Sequence, residues 1–323
     1  MTVEVGFIGT GGIANQHLNG LERIADARVT AVFDIARERA EAVARRFNAH
    51  VYSSHQELIE KSGIQALYVC LPPFAHEDQE ILAARTGIAL FVEKPVAISY
   101  EKAREVIAAI RASGVLSAAG YHWRYNPLTD RARELLGNRA IGMVHGYWHG
   151  GFPQVPWWRQ LNGSGGQFVE QTTHIVDLAR YLAGEIIAVH AHYAVRTLGT
   201  VENFSVWDTG TVNIEFASGA IGNISNSCMA NLGYTVGLHV ICPGLIVEEH
   251  SNNLRVLESN KTTEYRSTEN AYFLEDQAFI KAVATGDASL IRSSYEDAVR
   301  SLFVTLAANE SAMHGKTVAV QTV

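Results

Sequence analysis

Residues 1–17 constrain the fold of this chain more than any other stretch. Val3 to Ile8 form a short, largely apolar run that suits a strand buried on both faces of a sheet. The next residues, Gly9-Thr10-Gly11-Gly12-Ile13-Ala14, fit the pattern G-x-G-x-x-A, and apolar residues then recur at helical spacing. A strand, a glycine turn and a helix in this order can hold a dinucleotide pyrophosphate, because the turn is tight and the helix N-terminus attracts anions. The sequence therefore predicts a cofactor site at Gly9, Thr10, Gly11, Gly12 and Ile13.

A second apolar run, residues 28–33, ends at Asp34, which lies 25 positions after Gly9 (34 − 9). Dinucleotide folds place at about this distance a carboxylate that bonds the adenosine ribose. Because such a carboxylate repels a 2′-phosphate, NAD is the predicted cofactor and NADP is less favoured. Arg37 and Arg39 are the nearby cations that could still recruit a 2′-phosphate; otherwise they lie on a solvated helix face.

Strand-like and helix-like segments alternate as far as residue 120, which predicts a doubly wound parallel sheet of the Rossmann type. Ligands bind at the carboxyl ends of the strands in such sheets. The residues that follow the predicted strands, and that we therefore expect near a ligand, are Asp34, Leu71, Pro72, His76, Glu93, Lys94 and the segment 121–126.

The second half of the chain changes character. Runs of strand type follow one another without helices between them, at 186–198, 208–216, 220–228, 234–242, 245–249 and 253–258. This succession predicts an open, largely antiparallel sheet in a second α/β domain. Helices expected near 271–284 and 295–313 can cover only part of that sheet, so we expect a homo-oligomer, a dimer or a tetramer. The predicted domains are residues 1–121 and 122–323.

Composition excludes several classes of partner. The chain has 323 residues and a net charge of −7 without a basic stripe, so nucleic acid is not expected as a partner. No apolar stretch approaches membrane-spanning length, and the N-terminus does not resemble a signal peptide. The three cysteines lack the spacing of metal ligands and are odd in number, so we expect buried thiols, no metal site and a cytoplasmic enzyme.

Three polar residues recur on one predicted helix, over residues 168–183. Glu170, His174 and Asp177 are spaced by four and three, so consecutive members point the same way. Carboxylates beside an imidazole can hold one tautomer and set its pKa near neutrality, which suits a base that removes a hydroxyl proton. The alternative is a solvated helix face with a histidine between two acids.

Further candidates lie at strand ends and in an aromatic segment. Lys94 precedes Pro95, which restricts its backbone, and its ammonium could polarise a substrate hydroxyl; alternatively it is an exposed lysine. In the segment 156–159, Trp158 could stack on a sugar ring, whereas a buried core position is the alternative for this tryptophan. Arg159 could bond oxygens of the cofactor or of the substrate. The remaining predicted substrate contacts are His122 and Arg124.

Taken together, these motifs resemble the Gfo/Idh/MocA family of glucose–fructose oxidoreductases and inositol dehydrogenases. The matching pieces are GFIGTGGIA at 6–14, LPPFAH at 71–76, EKP at 93–95, GYHWRYNP at 120–127 and GGQFVEQTTHIVD at 165–177. The resemblance implies a sugar or polyol substrate. It also implies a base at His174, a substrate-facing acid at Glu170, a further acid at Asp177, a lysine beside the nicotinamide at Lys94 and a ribose contact at Glu93.

Two departures from the family pattern concern the substrate pocket. Glu170 stands where the family commonly has aspartate, and His122 where asparagine is frequent. The expected function is an NAD-dependent oxidoreductase acting on a secondary alcohol of a sugar, cyclic polyol or sugar derivative. A redox-neutral glycosidase or lyase that uses NAD on the same scaffold is the alternative within the family. A non-catalytic dinucleotide-binding regulator is the alternative outside catalysis.

Overall fold

The computed structural model describes residues 1–323, and the chain divides into two compact units. The first contains Met1–Tyr125 and Asn270–Ala298, and the second contains Asn126–Glu269 and Val299–Val323. The division into a cofactor-binding domain, residues 1–121, and a substrate-binding domain, residues 122–323, stays a prediction. The structure adds that residues 270–298, which the sequence assigns to the second domain, pack within the first unit.

The first unit is built on a six-stranded sheet whose neighbouring strands are all parallel. Its strands are β1 Val3–Ile8, β2 Ala27–Phe33, β3 His50–Val51, β4 Ala66–Val69, β5 Ala89–Val92 and β6 Ser117–Ala119. The order β3-β2-β1-β4-β5-β6 is that of a doubly wound sheet and confirms the predicted Rossmann architecture. Of these six strands, only β3 is absent from the sequence prediction, because two residues are too few to produce a periodic pattern.

The second unit is built on a nine-stranded sheet. Its strands are β7 Met143–His149, β8 Ile186–Ala194, β9 Thr209–Phe216, β10 Ile221–Ser227, β11 Thr235–Cys242, β12 Leu245–His250, β13 Asn253–Glu258, β14 Lys261–Arg266 and β15 Val318–Ala319. The order is β14-β13-β12-β11-β7-β10-β9-β8-β15, and only the β7–β10 pair is parallel. The predicted open, largely antiparallel sheet is therefore confirmed.

Eleven α-helices accompany the two sheets. They are α1 Gly12–Leu21, α2 Arg37–Phe47, α3 His55–Lys61, α4 Gln79–Arg85, α5 Tyr100–Ser113, α6 Pro127–Leu136, α7 Leu161–Ser164, α8 Gln167–Glu170, α9 Thr173–Ala183, α10 Ala271–Thr285 and α11 Tyr295–His314. No helix combines the length and the apolar character that a membrane crossing requires.

Aromatic side chains join α10 to the parallel sheet in the first unit. The Phe7 and Tyr68 rings stack with centroids 4.8 Å apart, and Tyr68 stacks on Phe91 at 4.6 Å. Phe279 of α10 meets Phe91 edge-on at 5.4 Å. This packing explains why residues far along the chain return to the N-terminal sheet, since α10 would otherwise expose its apolar side.

In the second unit, α9 lies close against β7. A Cβ atom added at Gly146 would be 2.5 Å from Cγ2 of Ile175, so only glycine at this position lets the helix approach the strand. On the other face of the sheet, alternate side chains of β9 and β10 are exposed or half-buried: Thr211, Asn213, Glu215, Ile221, Asn223 and Ser225. One face of this sheet is thus covered by helices and the other is open.

Candidate active site

The glycine turn after β1 has the geometry of an anion cradle. Gly9 has φ +85°, and a Cβ there would lie 2.4 Å from the carbonyl oxygen of Cys70, so the turn requires glycine. Gly11 is the N-cap residue of α1, in an extended conformation, and it has no side chain that could cap the helix N–H groups. Added Cβ atoms at Gly11 or Gly12 would meet nothing within 4 Å. The backbone N–H groups at this helix N-terminus therefore have space beside them for a phosphate.

Asp34 is held by that same turn. Its Oδ2 accepts hydrogen bonds from the Thr10 backbone N–H at 2.8 Å and the Thr10 hydroxyl at 2.9 Å, and its Oδ1 accepts from the Ala36 N–H at 2.8 Å. A carboxylate offers about four lone-pair directions, and three of them are used here, so Oδ1 can still accept one hydrogen bond from a ribose hydroxyl. Arg37 is engaged with Glu41 at 2.8 Å. The arrangement fits the adenosine ribose of NAD.

The turn after β4 lies beside the glycine turn. Leu71 Cδ2 would be 3.0 Å from a Cβ at Gly9, so the two predicted cofactor segments are neighbours. Leu71 and Pro72 are half-buried, and His76 is buried with its Nδ1 hydrogen-bonded to the carboxyl group of Glu80. Ile13 is half-buried in the first turn of α1. The positions of these residues agree with the predicted site, and their contacts with a cofactor stay predictions.

Glu93, Lys94 and His122 lie in one region of the first unit. Glu93 is 2% exposed, and its Oε2 accepts a hydrogen bond from the Lys94 N–H at 2.9 Å. The His122 ring stacks on Tyr272 with centroids 3.9 Å apart. Burial lowers the pKa of His122 to about 3, and the positive charges of Lys94 and His17 contribute to the shift. His122 is therefore neutral near the ammonium of Lys94.

Arg124, a predicted substrate contact, is tied to a later segment of the first unit. Its buried guanidinium donates to the carbonyl oxygen of Arg292 at 2.8 Å and pairs with Asp297 at 2.5 Å. Arg292 donates in turn to the carbonyl oxygen of Arg124 at 2.7 Å. These contacts account for an anchoring role, and a role in substrate binding stays a prediction.

The predicted continuous helix over 168–183 is wrong. The segment forms two helices, α8 and α9, separated by Gln171 and Thr172. The N–H groups of both intervening residues donate to the same carbonyl oxygen, that of Gln167, and the Ile175 N–H returns to Thr172 in a tighter turn. Glu170 thus ends α8 while His174 lies in the first turn of α9, so the pair does not share one regular helical face.

His174 and Asp177 are buried and Glu170 is half-buried, which excludes the alternative of a solvated helix face. His174 is 4% exposed, and its ring stacks against Trp148 with centroids 5.7 Å apart. Asp177 is 1% exposed; it accepts a hydrogen bond from the Ser301 hydroxyl at 2.7 Å and lies 3.7 Å from the guanidinium of Arg180. Asp177 therefore belongs to a buried polar network with Ser301 and Arg180.

Trp158 bonds to Glu170 directly. Its indole Nε1–H donates to Glu170 Oε2 at 2.6 Å, and the ring is fully buried in a cluster with Val206 and Cys228. Trp158 thus occupies a buried core position, which is the alternative that the sequence left open, and this position does not support stacking on a sugar. Arg159 is half-buried, with its guanidinium 5.6 Å from the centre of the Phe152 ring.

Several residues at these sites escape the sequence prediction. Trp148 lies on β7, in a segment whose pattern indicated no element, and Tyr272 lies far along the chain from the histidine on which it stacks. His17 carries a usable signal, since it falls on the apolar stripe of α1 beside Ala14 and Leu18. A histidine at such a position requires buried partners, but the sequence does not identify them.

Comparison with known proteins agrees with this architecture. Residues 3–121 match the family described as an oxidoreductase family with an NAD-binding Rossmann fold, and residues 129–244 match the Gfo/Idh/MocA C-terminal domain. An inositol 2-dehydrogenase of Rhizobium meliloti (strain 1021) is 31% identical over 243 residues, which are 74% of this chain and 73% of that protein. The chain belongs to the Gfo/Idh/MocA family.

Other members of the Gfo/Idh/MocA family match over almost the whole chain. The scyllo-inositol 2-dehydrogenase (NAD(+)) of Bacillus subtilis (strain 168) is 29% identical over 329 residues, covering 97% of this chain and 95% of that protein. The crystal structure of GenD2 from gentamicin A biosynthesis in complex with NAD has a TM-score of 0.87 at 25% identity, covering 99% of this chain and 97% of that one. This Gfo/Idh/MocA protein is therefore an NAD-binding oxidoreductase that acts on CH–OH groups.

Proposed function

We propose that the protein transfers hydride between NAD and a secondary alcohol of a cyclic polyol, a sugar or a sugar derivative. The observation that carries the proposal is the buried His174, stacked on Trp148 in the segment where the family resemblance puts the base. The names of the relatives support the substrate class, since two of them are inositol 2-dehydrogenases.

In the proposed reaction, His174 accepts the proton of the substrate hydroxyl while hydride leaves the carbon that bears this hydroxyl. The C–O single bond thereby becomes a carbonyl. The ammonium of Lys94 stabilises the developing alkoxide. Glu170 and Asp177 orient His174 and the substrate. Bound NAD supplies the acceptor of the hydride. Its pyrophosphate is assigned to Gly9, Thr10, Gly11, Gly12 and Ile13, its adenosine ribose to Asp34, and its nicotinamide half to Glu93 and Lys94. Further contacts with the cofactor are assigned to Leu71, Pro72 and His76.

The substrate contacts proposed from the sequence are His122, Arg124, Trp158 and Arg159. The position of His122 favours it most, because a neutral imidazole near Lys94 can exchange hydrogen bonds with a hydroxyl group without repelling it. The direct bond from Trp158 to Glu170 favours an indirect part for that tryptophan. Assembly into a homo-oligomer and a cytoplasmic location remain parts of the proposal.

The test is incubation of the purified protein with NAD and a panel of inositols, sugars and sugar acids, with NADH absorbance and the fate of the substrate followed together. Steady formation of NADH supports the dehydrogenase. Conversion of a substrate without NADH favours the redox-neutral alternative. NADH binding without any conversion across the panel favours the non-catalytic regulator.

Two substitutions then test the assigned chemistry. His174→Ala and Lys94→Ala should each lower kcat by at least about 100-fold, with the Kd for NADH changed far less. The matched controls are His192→Ala on β8 and Lys281→Ala on α10, whose side chains are exposed, and they should leave kcat unchanged. An active His174→Ala variant removes that histidine from the mechanism.

A further inference from the structure

A buried chain of polar side chains joins α10 to the residue before Lys94. The Tyr68 hydroxyl donates to Asp276 Oδ1 at 3.1 Å, and His17 Nδ1 lies 2.7 Å from the same oxygen. On its other side, His17 Nε2 lies 2.9 Å from Glu93 Oε1. The second oxygen of Glu93 accepts from the Lys94 N–H. Asp276 and the Lys94 backbone are thus connected through His17 and Glu93, and both of these side chains are buried.

The two carboxylates fix the protonation of His17. A neutral imidazole donates from one nitrogen only and would direct a lone pair at one of the two carboxylates, whereas an imidazolium donates to both. Burial lowers the pKa of His17, but Asp276 and then Glu93 raise it by charge and by hydrogen bonding, and the net pKa lies well above its usual value. The titratable groups that face His17 are Asp276 and Tyr272 of α10, Tyr68 of β4, Glu93 after β5 and the neutral His122.

Two glycines leave the space that the carboxylates occupy. A Cβ at Gly20 would lie 2.6 Å from Asp276 Oδ2, and a Cβ at Gly120 would lie 2.4 Å from Glu93 Oε1. Gly20 lies within α1, where glycine is less favourable than alanine. The helix therefore carries a residue that weakens it and that admits the Asp276 carboxylate.

We propose that His17 is a positioning residue, which, clamped between Asp276 and Glu93, fixes the Glu93 carboxylate and through it the backbone of Lys94. This inference rests on the proposed functions of Glu93 and Lys94. Replacement of His17 leaves the carboxylate of Glu93 buried without its cation, and a buried carboxylate without a cation favours its protonated form. A protonated Glu93 no longer accepts in the same geometry from the Lys94 N–H, so the backbone of Lys94 shifts. A displacement of about 1 Å at a reacting group lowers the rate by about 100-fold.

The first experiment compares His17→Gln with His55→Gln. His55 is a matched control, because it is also a buried histidine of the first unit paired with a carboxylate, Asp78 at 2.7 Å, and it touches neither Glu93 nor Lys94. We expect kcat to fall by about 100-fold at pH 7 in His17→Gln and to recover as the pH rises and Glu93 ionises, with the Kd for NADH within about threefold. His55→Gln should keep the wild-type kcat and pH profile. Equal losses in both variants with unchanged profiles overturn the proposal.

A second variant, Asp276→Asn, should show the opposite pH dependence of kcat, and it tests the proposal if His17→Gln does not fold. Asp276→Asn removes one of the two carboxylates, so His17 loses its proton at a lower pH than in the wild type. The kcat of this variant should therefore fall as the pH rises, opposite to His17→Gln. A profile with the wild-type shape contradicts the proposal.

A spectroscopic measurement separates this inference from the proposed function. In ¹⁵N-histidine spectra of the wild type, one histidine of the 13 should keep both ring nitrogens protonated at pH 8, and its signals should disappear in His17→Gln. If the wild type converts no substrate of the panel, the proposed function fails, and these spectra decide the inference. A His17 ring that is singly protonated at pH 8 overturns it.

Discussion

At the scale of single residues, Gly9 and Gly11 of the turn after β1 are glycine for two different reasons. Gly9 is required by the fold, since its φ is +85° and a side chain would collide with the Cys70 carbonyl. Gly11 has ordinary φ and open space around it, so the fold itself does not demand glycine there. We propose that Gly11 lacks a side chain because a ligand approaches the backbone there.

Alanine substitutions should separate the effect of each glycine on stability from its effect on NADH binding. Gly11→Ala should leave the melting temperature within about 2 °C of the wild type and raise the Kd for NADH by at least about tenfold, because its methyl group occupies the space assigned to the pyrophosphate. Gly9→Ala should lower the melting temperature as well. Thermal denaturation and NADH fluorescence titration measure the two effects. Unchanged NADH affinity in Gly11→Ala would place the cofactor elsewhere.

Trp158 and Glu170 form the other informative pair at this scale. Trp158→Phe keeps a buried aromatic ring and removes the N–H that reaches Glu170. We expect kcat to fall by about tenfold, because Glu170 loses a donor that orients it, and the free energy of unfolding to fall by about 1–3 kcal/mol. The neighbouring half-buried Trp157 provides the control, Trp157→Phe. Steady-state kinetics and urea denaturation check both values, and equal kcat in the two variants would deny Trp158 an orienting role.

At the scale of elements, the contact between α6 and β12 contains a carboxyl group in an unusual state. Glu249 is completely buried; the Thr129 hydroxyl donates to one of its oxygens, and the other has no hydrogen-bond partner. Burial raises the pKa of Glu249 to about 8 from its usual 4.5, and the charge of Asp130 adds to the shift while the Thr129 hydrogen bond opposes it. The packing of the helix on the strand therefore favours the protonated acid.

This state predicts a pH-dependent stability. Between about pH 4.5 and pH 8 the folded protein holds a proton on Glu249 that the unfolded chain releases, so this residue makes the free energy of unfolding fall as the pH rises through that window. Relative to the wild type, Glu249→Gln should gain about 3–4 kcal/mol in free energy of unfolding between pH 5 and pH 8. Urea denaturation at several pH values measures the difference. Glu248→Gln, on the opposite face of the same strand, should show no such gain.

At the scale of the whole molecule, the nine-stranded sheet has an open face. Alternate residues of β9 and β10 lie on it, and Ile221 is 52% exposed among polar neighbours. An apolar side chain on an extended open sheet face suits burial against a second copy of the chain, which agrees with the predicted homo-oligomer.

The oligomeric state is therefore open to a direct test. The wild type should elute with a mass of at least twice the 35.3 kDa of one chain in light-scattering chromatography, and Ile221→Asp should shift the mass downwards because it buries a charge in the expected interface. Met313→Asp, at an exposed position on α11, should leave the mass unchanged. A wild-type mass of one chain would contradict the prediction.

The sequence by itself determined the classes of structure. The parallel sheet and the later antiparallel strands follow from local periodicity, and the dinucleotide turn follows from a short glycine motif; both signals depend on residues a few positions apart. The same is true of Asp34, whose position after β2 predicts its place beside the glycine turn. Short or irregular pieces escaped: β3 has two residues, and the interruption between α8 and α9 depends on hydrogen bonds that no periodic pattern records.

Only the tertiary structure decided which distant residues meet. Asp276 lies 259 positions from His17 and pairs with it because α10 packs its aromatic side on the parallel sheet. Ser301 reaches Asp177 across 124 positions, and the burial of both removes the solvated alternative for that face of α9. Local patterns specify what each segment becomes, whereas burial of apolar surface specifies which segments pack together, and the polar partners of His17 and Asp177 are set by that packing.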